Sequence, residues 1–188
     1  MEHTQSTAKA KWKTELADWL KSFVLIGGLT AFIYVFVMAP YVVQGRSMES
    51  TLHDRERVIV NKAIYYLQQP KRGEIVIIHP DASGENWIKR VVAVAGDTVE
   101  AKDDQLYVNG QPVQEEYLTA NKLKAAANGI TLTEDFGPIT VPPGHVFVMG
   151  DNRNNSMDSR VIGPVSLEHV VGRAELVYWP LNSIRLPK

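Results

Sequence analysis

The feature that most constrains this chain is an uncharged run near its N-terminus, over residues 22–43. A helix of that length is about 33 Å long, and the hydrocarbon layer of a bilayer is about 30 Å thick. No polar face interrupts the run, which disfavours a buried helix of a water-soluble fold. A cleaved secretory signal is the competing interpretation, but the run is longer than the usual apolar core of a signal. The sequence therefore predicts an uncleaved transmembrane anchor over these residues.

The charges before this run predict its orientation. They are four lysines against three acidic residues, namely Lys9, Lys11, Lys13, Lys21, Glu2, Glu15 and Asp18. Positively charged residues favour the cytoplasmic side of a membrane. We therefore expect a single-pass protein of the cell membrane, with residues 1–21 as a cytoplasmic N-terminal segment and residues 44–188 as an extracytoplasmic domain.

Length, charge and composition exclude several classes of protein. The 188 residues suffice for one well-buried domain plus an appendage. The formal net charge is −1, so no basic field argues for nucleic acid as a partner. The chain contains no cysteine, which excludes thiol nucleophiles, thiolate metal sites and a disulfide-dense secreted fold together.

Beyond Gln44 the sequence changes to short apolar segments separated by turn residues. The predicted strands are residues 58–60, 74–79, 87–95, 98–102, 105–108, 111–113, 139–141, 145–149 and 174–179. The pair Asn109-Gly110 predicts a tight hairpin, because both residue types tolerate positive φ. Residues 117–136 are compatible with either a short helix or an extended loop. These segments predict a mainly antiparallel β domain.

One lysine lies where a charge is costly. In the predicted strand 87–95, both faces are apolar apart from one basic residue each, Lys89 and Arg90. A strand of that kind is buried on both sides, and burial lowers the pKa of a lysine. Lowering the Lys89 pKa from about 10.4 to about 8 takes about 3.3 kcal/mol, which burial can supply, and the amine then becomes a usable base. The alternative is a lysine whose amine reaches out to water.

Ser47 is the candidate nucleophile because it closely follows the apolar run, at the predicted membrane surface. A nucleophile elbow needs glycine two residues after the serine, where Glu49 stands, and a Ser-x-x-Lys motif needs lysine where Ser50 stands. The five histidines are scattered and form no metal-binding motif. A triad with histidine and aspartate stays open, because triads assemble in space.

A third block, residues 149–163, is rich in asparagine, aspartate and serine. These side chains hydrogen-bond to nearby backbone and therefore predict a tightly bonded loop rather than a helix or strand. Loops without a functional role have the same composition, so this block alone leaves both interpretations open.

Four sequence boxes follow the predicted anchor in a fixed order. They are SMESTL at residues 47–52, RGEIVI at 72–77, WIKRVVAVAGD at 87–97 and GDNRNNSMDSR at 150–160. The boxes resemble those of bacterial type I signal peptidases, in particular the compact single-anchor members of Bacillus-like Gram-positive bacteria. The resemblance extends over residues 11–180. It implies a strongly bent, mainly antiparallel β domain that lies on the outer membrane surface.

The resemblance implies a role for each residue that matches a family box. Ser47 is the nucleophile, Lys89 is the general base, and Ser156 orients the lysine amine by a hydrogen bond. An ionic scaffold surrounds the site and consists of Arg90, Asp151, Asp158 and Arg160. We further expect Met48 and Leu52 to contact the substrate.

The chain departs from the family pattern at three positions. Ser50 stands where the family usually has proline, and the loss of proline loosens the turn after the nucleophile. Glu74 replaces the commoner aspartate, which we interpret as a structural variation. Gly45 stands where some members place a hydroxyl that completes the oxyanion hole. The hole then depends on the N–H of Ser47 and a second donor, either the N–H of Gly45 or water.

The implied function is a membrane-anchored serine endopeptidase with a Ser/Lys dyad. Its substrates are the signal peptides of exported preproteins, with small residues, typically alanine, at positions −1 and −3. The expected partners are the phospholipid membrane and the secretion translocon, and no metal or organic cofactor is needed. Two alternatives remain. One is another Ser/Lys protease of the self-cleaving repressor type, and the other is a membrane-tethered binding module in which Ser47 and Lys89 are structural.

Overall fold

The computed structural model describes residues 3–80 and 84–188. The first two residues of the predicted cytoplasmic segment lie outside the described residues. The chain divides into two compact units, Met1–Met38 and Ala39–Lys188. The first unit is helical and the second is a β domain.

The N-terminal unit contains one long helix. Helix α1, His3–Phe32, continues into a short stretch of wider π-helix, Ile33–Val37. The part from Glu15 to Val37 is long and apolar enough to cross a membrane, and its most apolar stretch is buried in no protein core. A helix that is apolar on all sides and exposed is suited to a lipid environment.

The helical segment ends before the predicted anchor does. The predicted anchor includes residues 38–43, but Met38–Val42 forms strand β1. Pro40 explains the difference, because proline has no backbone N–H and its ring clashes with a preceding helical turn. The residue before a proline also prefers extended backbone. The predicted boundary at Val43 is therefore wrong for the helix, which ends at Val37.

The described residues of the β domain form two sheets, together with short helices that connect strands within a sheet. In chain order its elements are β1 Met38–Val42, β2 Arg57–Asn61, α2 Ile64–Leu67, β3 Ile75–Ile78, β4 Trp87–Val94, β5 Thr98–Lys102, β6 Gln105–Val108, β7 Gln111–Pro112, α3 Thr119–Ala127, β8 Phe136–Thr140, β9 His145–Met149, α4 Ser159–Ile162, β10 Val165–Ser166 and β11 Val170–Trp179. The larger sheet has the order β1-β2-β11-β3-β4-β9-β10, and the smaller has the order β7-β6-β5-β8. From β2 onward neighbouring strands pair antiparallel, which confirms the predicted mainly antiparallel β domain.

Each predicted strand segment overlaps a strand of the structure, and two strands were missed. Strand β1 lies within the uncharged run and has the same apolar composition, so it could not be distinguished from the helix. Strand β10 is only two residues long, which is too short to produce an alternating pattern. The ambiguous residues 117–136 contain helix α3. The sequence could not decide this point because that stretch mixes helix-forming alanines with glycine and β-branched residues.

The turn that carries Ser47 is anchored in the hydrophobic core. Met48 and Leu52 are 1% and 0% exposed. They pack in one cluster with side chains of β2, β3 and β11, including Val58 and Val177. Large side chains in a close-packed core have little freedom to move. The core therefore fixes the backbone immediately after Ser47.

The β6–β7 hairpin confirms the prediction from the Asn-Gly pair. Asn109 and Gly110 both have positive φ, 55° and 73°. An added Cβ at Gly110 meets no atom within 4 Å, so a substitution there changes backbone conformational energy and little else. We expect Gly110→Ala to lower the free energy of unfolding by about 1 kcal/mol in urea titrations of the full chain. Gln111→Ala, next along the chain in extended backbone, is the control, and an equal loss in both variants would contradict this explanation.

Candidate active site

Lys89 lies in the middle of the larger sheet and is buried on both sides of its strand. Strand β4 is flanked by β3 and β9, with Val76 opposite Lys89. Lys89 is 4% exposed and Arg90 is 3% exposed. The prediction that both faces of this strand are buried is therefore confirmed. The alternative, in which the lysine amine reaches out to water, does not describe this structure.

The Lys89 amine faces the Ser47 hydroxyl. Nζ of Lys89 donates a hydrogen bond to Oγ of Ser47 at 3.0 Å and another to the carbonyl oxygen of Ile88 at 3.2 Å. The amine also lies 5.6 Å from the centroid of the Trp87 ring. The distance between Nζ and Oγ lies within the range over which a general base removes a proton directly.

Burial changes the basicity of this amine. Loss of solvent lowers the pKa of Lys89 to about 8, and the nearby carboxylates of Asp158 and Asp151 oppose that shift. With such a pKa, about one molecule in ten has a neutral amine at pH 7, compared with about one in 2,500 for an ordinary lysine. The site therefore contains a base that is usable near neutral pH.

The Ser47 turn is hydrogen-bonded to the loop that begins at Gly150. The backbone N–H of Asn152 donates to the carbonyl of Ser47 at 2.9 Å. The side-chain amide of Asn152 donates to the carbonyl of Arg46 at 3.0 Å. Together with the buried Met48, these bonds hold Ser47 on both sides.

Two backbone N–H groups were candidates for the oxyanion hole. The N–H of Ser47 pairs with no acceptor among residues 3–80 and 84–188. The N–H of Gly45 donates to the Asp54 carboxylate at 2.8 Å and is therefore not free. In this conformation the N–H of Gly45 is already used, and of the two groups considered only the N–H of Ser47 lacks an acceptor among the described residues.

A buried ion pair links the lysine strand to the Gly150 loop. The Arg90 guanidinium donates to both oxygens of Asp151, at 2.9 and 2.7 Å, and to the carbonyl of Gly73 at 2.9 Å. The Arg90 and Asp151 side chains are 4% and 0% exposed. Thr51, in the Ser47 turn, donates to the same carboxylate at 2.5 Å. A buried pair is stable only when its remaining polar groups are satisfied, as they are here.

A second ion pair lies at the end of the same loop. Arg160 donates to both oxygens of Asp158, at 2.9 and 2.8 Å, and the N–H of Gly150 donates to Asp158 at 3.0 Å. Burial alone would raise the pKa of Asp158, but the Arg160 guanidinium and these hydrogen bonds outweigh it and hold that pKa below its ordinary value. Each of the two predicted scaffold carboxylates is thus paired with one of the two predicted arginines.

Ser156 is close to the site but does not contact the lysine amine by a hydrogen bond. Its hydroxyl oxygen is buried and helps to lower the pKa of Asp158, although no partner meets it in hydrogen-bond geometry within the described residues. A Cβ at Gly150 would collide with this hydroxyl and with the carbonyl of Ser47. Close approach of the two loops therefore requires glycine at position 150, and the role of Ser156 in orienting Lys89 stays a prediction.

An open groove of about 660 Å³ leads to Ser47 and Lys89. Tyr41 and Val42 of strand β1 line one part of it, and Trp87 and Met157 line another. Met48 and Leu52 do not line the groove, because both are buried in the core beneath the turn. Their contact with substrate stays a prediction, whereas their packing gives them a structural role.

Comparison with known proteins assigns the family. A family model for signal peptidases, peptidase S26, matches residues 16–179. The chain belongs to this family. It is 48% identical over 181 residues to a signal peptidase I of Bacillus amyloliquefaciens, covering 96% of this chain and 97% of that one. It is 46% identical to signal peptidase I T of Bacillus subtilis strain 168, covering 99% and 96% of the two chains.

A solved structure agrees with this assignment. The crystal structure of a signal peptidase I from Enterococcus faecalis V583 is 36% identical and superposes with a TM-score of 0.52. The match covers 56% of this chain and 97% of that chain. The resemblance to signal peptidases and the predicted fold class are therefore confirmed, and the chain is an enzyme of a serine peptidase family. That outcome excludes the binding-module interpretation. The relatives and the apolar helix fit a membrane-anchored protein.

One part of this signal peptidase site was missed by the sequence analysis. Arg153 and Glu115 form an ion pair whose side chains are 0% and 1% exposed. Arg153 also donates to the carbonyl of Gly150 at 3.1 Å. Tyr117 donates to Glu115 at 2.5 Å, and its ring lies 3.8 Å from the Arg90 guanidinium. The available signal was Arg153 within the fourth box, but its partner Glu115 lies 38 positions away, between the predicted strand 111–113 and the ambiguous residues 117–136.

The described residues contain no group of histidine, cysteine, aspartate and glutamate side chains that could hold a metal ion. Within the same part of the chain, the hydroxyl of Ser47 is paired with Lys89 and not with a histidine.

Proposed function

We propose that this protein is a membrane-anchored endopeptidase in which a Ser47/Lys89 dyad removes N-terminal signal peptides from secreted preproteins. Cleavage follows a small residue, with a second small residue at position −3, in an Ala-x-Ala type site. The observation that carries the proposal is a buried amine 3.0 Å from a hydroxyl, at the end of an open groove.

The reaction begins with proton transfer. The lone pair of the neutral Lys89 amine takes the proton of the Ser47 hydroxyl as Oγ attacks the carbonyl carbon of residue −1. The N–H of Ser47 donates to the oxyanion that forms. When the C–N bond breaks, the Lys89 ammonium gives its proton to the departing amine of the mature protein. The signal peptide remains as an ester of Ser47.

The second half of the reaction repeats the proton transfers with water. Lys89 is neutral again after the first step and removes a proton from a water molecule that attacks the ester. The ammonium then returns the proton to Oγ of Ser47, and the signal peptide leaves with a free carboxylate. One base therefore serves both halves of the reaction.

The substrate lies extended in the groove. Strand β1 is at an edge of the larger sheet, the position at which an extended peptide can add as a further strand. Alternate side chains of an extended peptide point to the same side, so residues −1 and −3 face the groove together and residue −2 faces away. Tyr41, Val42 and Trp87 in the groove wall limit the size of the facing residues.

The proposed location is the outer face of the cytoplasmic membrane. The helix Glu15–Val37 serves as the single anchor, with the lysine-containing N-terminal segment in the cytoplasm. Preproteins arrive through the secretion translocon with their own apolar segment in the same bilayer. Confinement of enzyme and substrate to one surface raises their effective concentration without further contacts.

The specificity test uses the full chain in phospholipid vesicles and a preprotein with an Ala-x-Ala site. Replacing alanine −1 by leucine is expected to lower kcat/KM at least about tenfold, because the larger side chain must fit against the groove wall. Leucine at −2 is the matched control and should change kcat/KM less than about twofold. Mass spectrometry locates the cleaved bond. Equal tolerance of leucine at −1 and −2 would contradict the proposed specificity.

A further inference from the structure

Asn121 is a buried polar residue of helix α3 that contacts two loops of the candidate site. It is 6% exposed. Its side-chain amide donates one hydrogen bond to the carbonyl of Glu49 at 2.6 Å and one to the carbonyl of Asp151 at 2.8 Å. An amide nitrogen has two protons, and both are used here.

The two carbonyl groups belong to two loops, and the distance between these loops affects the distance between the Ser47 hydroxyl and the Lys89 amine. Glu49 is two residues after the nucleophile Ser47. Asp151 is paired with Arg90, the residue that follows Lys89 in strand β4. One amide therefore joins the turn that carries the hydroxyl to the loop that is fixed to the strand of the amine. Leaving a buried carbonyl group without a hydrogen-bond donor costs free energy. Removing this amide therefore favours movement of both loops.

We propose that Asn121 is a positioning residue that fixes Ser47 relative to Lys89 by joining the Glu49 and Asp151 backbones. This inference rests on the proposed dyad mechanism and adds to it an element outside the four sequence boxes. Asn121 touches neither the hydroxyl nor the amine of the dyad in the structure and acts through the backbone of the two loops.

The residues around Asn121 support this role. Tyr117 places its ring 3.8 Å from the Arg90 guanidinium. Glu115 forms the buried ion pair with Arg153 of the same loop as Asp151. Thr133, after the helix, accepts a further hydrogen bond from Arg153 at 3.2 Å. Residues 115–133 therefore contact the catalytic loops at several points, and the Asn121 side chain also donates a hydrogen bond to the Ser47 turn.

The same helix offers a matched control. Asn128 lies at the end of α3 and is exposed. Its side-chain amide donates to the carbonyl of Lys124 at 2.7 Å, within its own helix. Asn128→Ala therefore removes an asparagine from α3 without touching either catalytic loop.

The test measures kcat and KM of the full chain in phospholipid vesicles, per folded molecule and below the melting temperature of each variant. Asn121→Ala is expected to lower kcat at least about tenfold, because a displacement of about 1 Å in a reacting group costs up to about 100-fold. KM should change less than about twofold, because β1 and the Trp87 region of the groove do not contact Asn121. Asn121→Ser, which retains one donor, should lie between Asn121→Ala and the unsubstituted protein. Asn128→Ala should leave both constants unchanged.

The outcomes separate this inference from the proposed function. Ser47→Ala is measured in parallel, and persisting cleavage in that variant would refute the dyad itself. If Ser47→Ala is inactive and Asn121→Ala keeps its kcat within about twofold, the positioning role is wrong and the dyad is not affected. A loss confined to KM, or an equal loss in Asn128→Ala, also overturns the positioning role. If Asn121→Ala fails to fold, Asn121→Ser is used as the test in its place. We then expect kcat to fall about threefold or more while KM stays unchanged.

Discussion

Replacement of Lys89 by methionine is expected to lower kcat for preprotein cleavage by about 10⁴-fold or more, in a protein that remains folded. The amine is the only group within hydrogen-bond reach of the Ser47 hydroxyl among the described residues, so the variant has no base to activate the nucleophile. Methionine is an unbranched apolar side chain that is one heavy atom shorter than lysine, so most of the packing around the lysine stem is preserved. It also removes a desolvated amine, so we expect no loss in the free energy of unfolding.

The matched control is an exposed lysine. Lys71 lies before strand β3 on the surface, and Lys71→Met should retain full activity. Ser47→Ala is expected to lose as much activity as Lys89→Met. The double variant should have the same residual activity as either single variant, because the two groups act in one step. Losses that multiply in the double variant would show that Ser47 and Lys89 act independently, which contradicts a dyad.

The second large effect is the pH dependence of kcat. The Lys89 pKa is lowered to about 8 by burial, and the base works only in its neutral form. At about pH 6 only about 1 in 100 molecules has the neutral amine, and at about pH 9 about nine in ten have it. We therefore expect kcat to rise about ninefold from about pH 6 to 7, about fivefold from about pH 7 to 8, and then to level off, a total rise of about 100-fold by about pH 9.

The pH at which kcat levels off separates lysine from other bases. A histidine base would reach its plateau near neutral pH, because its ordinary pKa is about 6.5. The measurement uses single turnovers, so that product release does not mask the chemical step. A rate that is constant from about pH 6 to 9, or that falls over that range, is incompatible with a lysine base of this pKa.

The arrangement of charges explains how the lysine remains a base near two acids. Asp151 and Asp158 both raise the pKa of Lys89. Each carboxylate is also bonded through both oxygens to an arginine, Arg90 in one case and Arg160 in the other. Paired charges attract a third charge less than an isolated carboxylate would. Burial therefore lowers the pKa of the Lys89 amine by more than the two carboxylates raise it.

The sequence predicted those parts of the fold that depend on local pattern. The apolar faces around Lys89 predicted a doubly buried strand, and the Asn109-Gly110 pair predicted the hairpin, because each signal lies within a few residues. Strand β1 could not be predicted, because lipid-facing and core-facing residues are equally apolar. Its position is set by Pro40 and by pairing in the sheet rather than by a change in composition.

The candidate site was less predictable than the fold, because its contacts join distant parts of the chain. Arg153 pairs with Glu115 across 38 positions, and Asn121 reaches Glu49 across 72 positions. No periodic pattern encodes contacts of that kind. The N–H of Gly45 was considered as an oxyanion donor, but its bond to Asp54 becomes visible only when the turn is folded.

The most direct test of this account is the pKa of the Lys89 amine itself. Nitrogen NMR of the lysine side chains, in full-length Ser47→Ala protein in lipid, follows each amine through a pH titration, and Lys89→Met in the same background identifies the Lys89 signal. We predict that this amine titrates at about 8. A value near that of an ordinary lysine, about 10.4, would mean that the amine is charged under working conditions and that Lys89 is not the base.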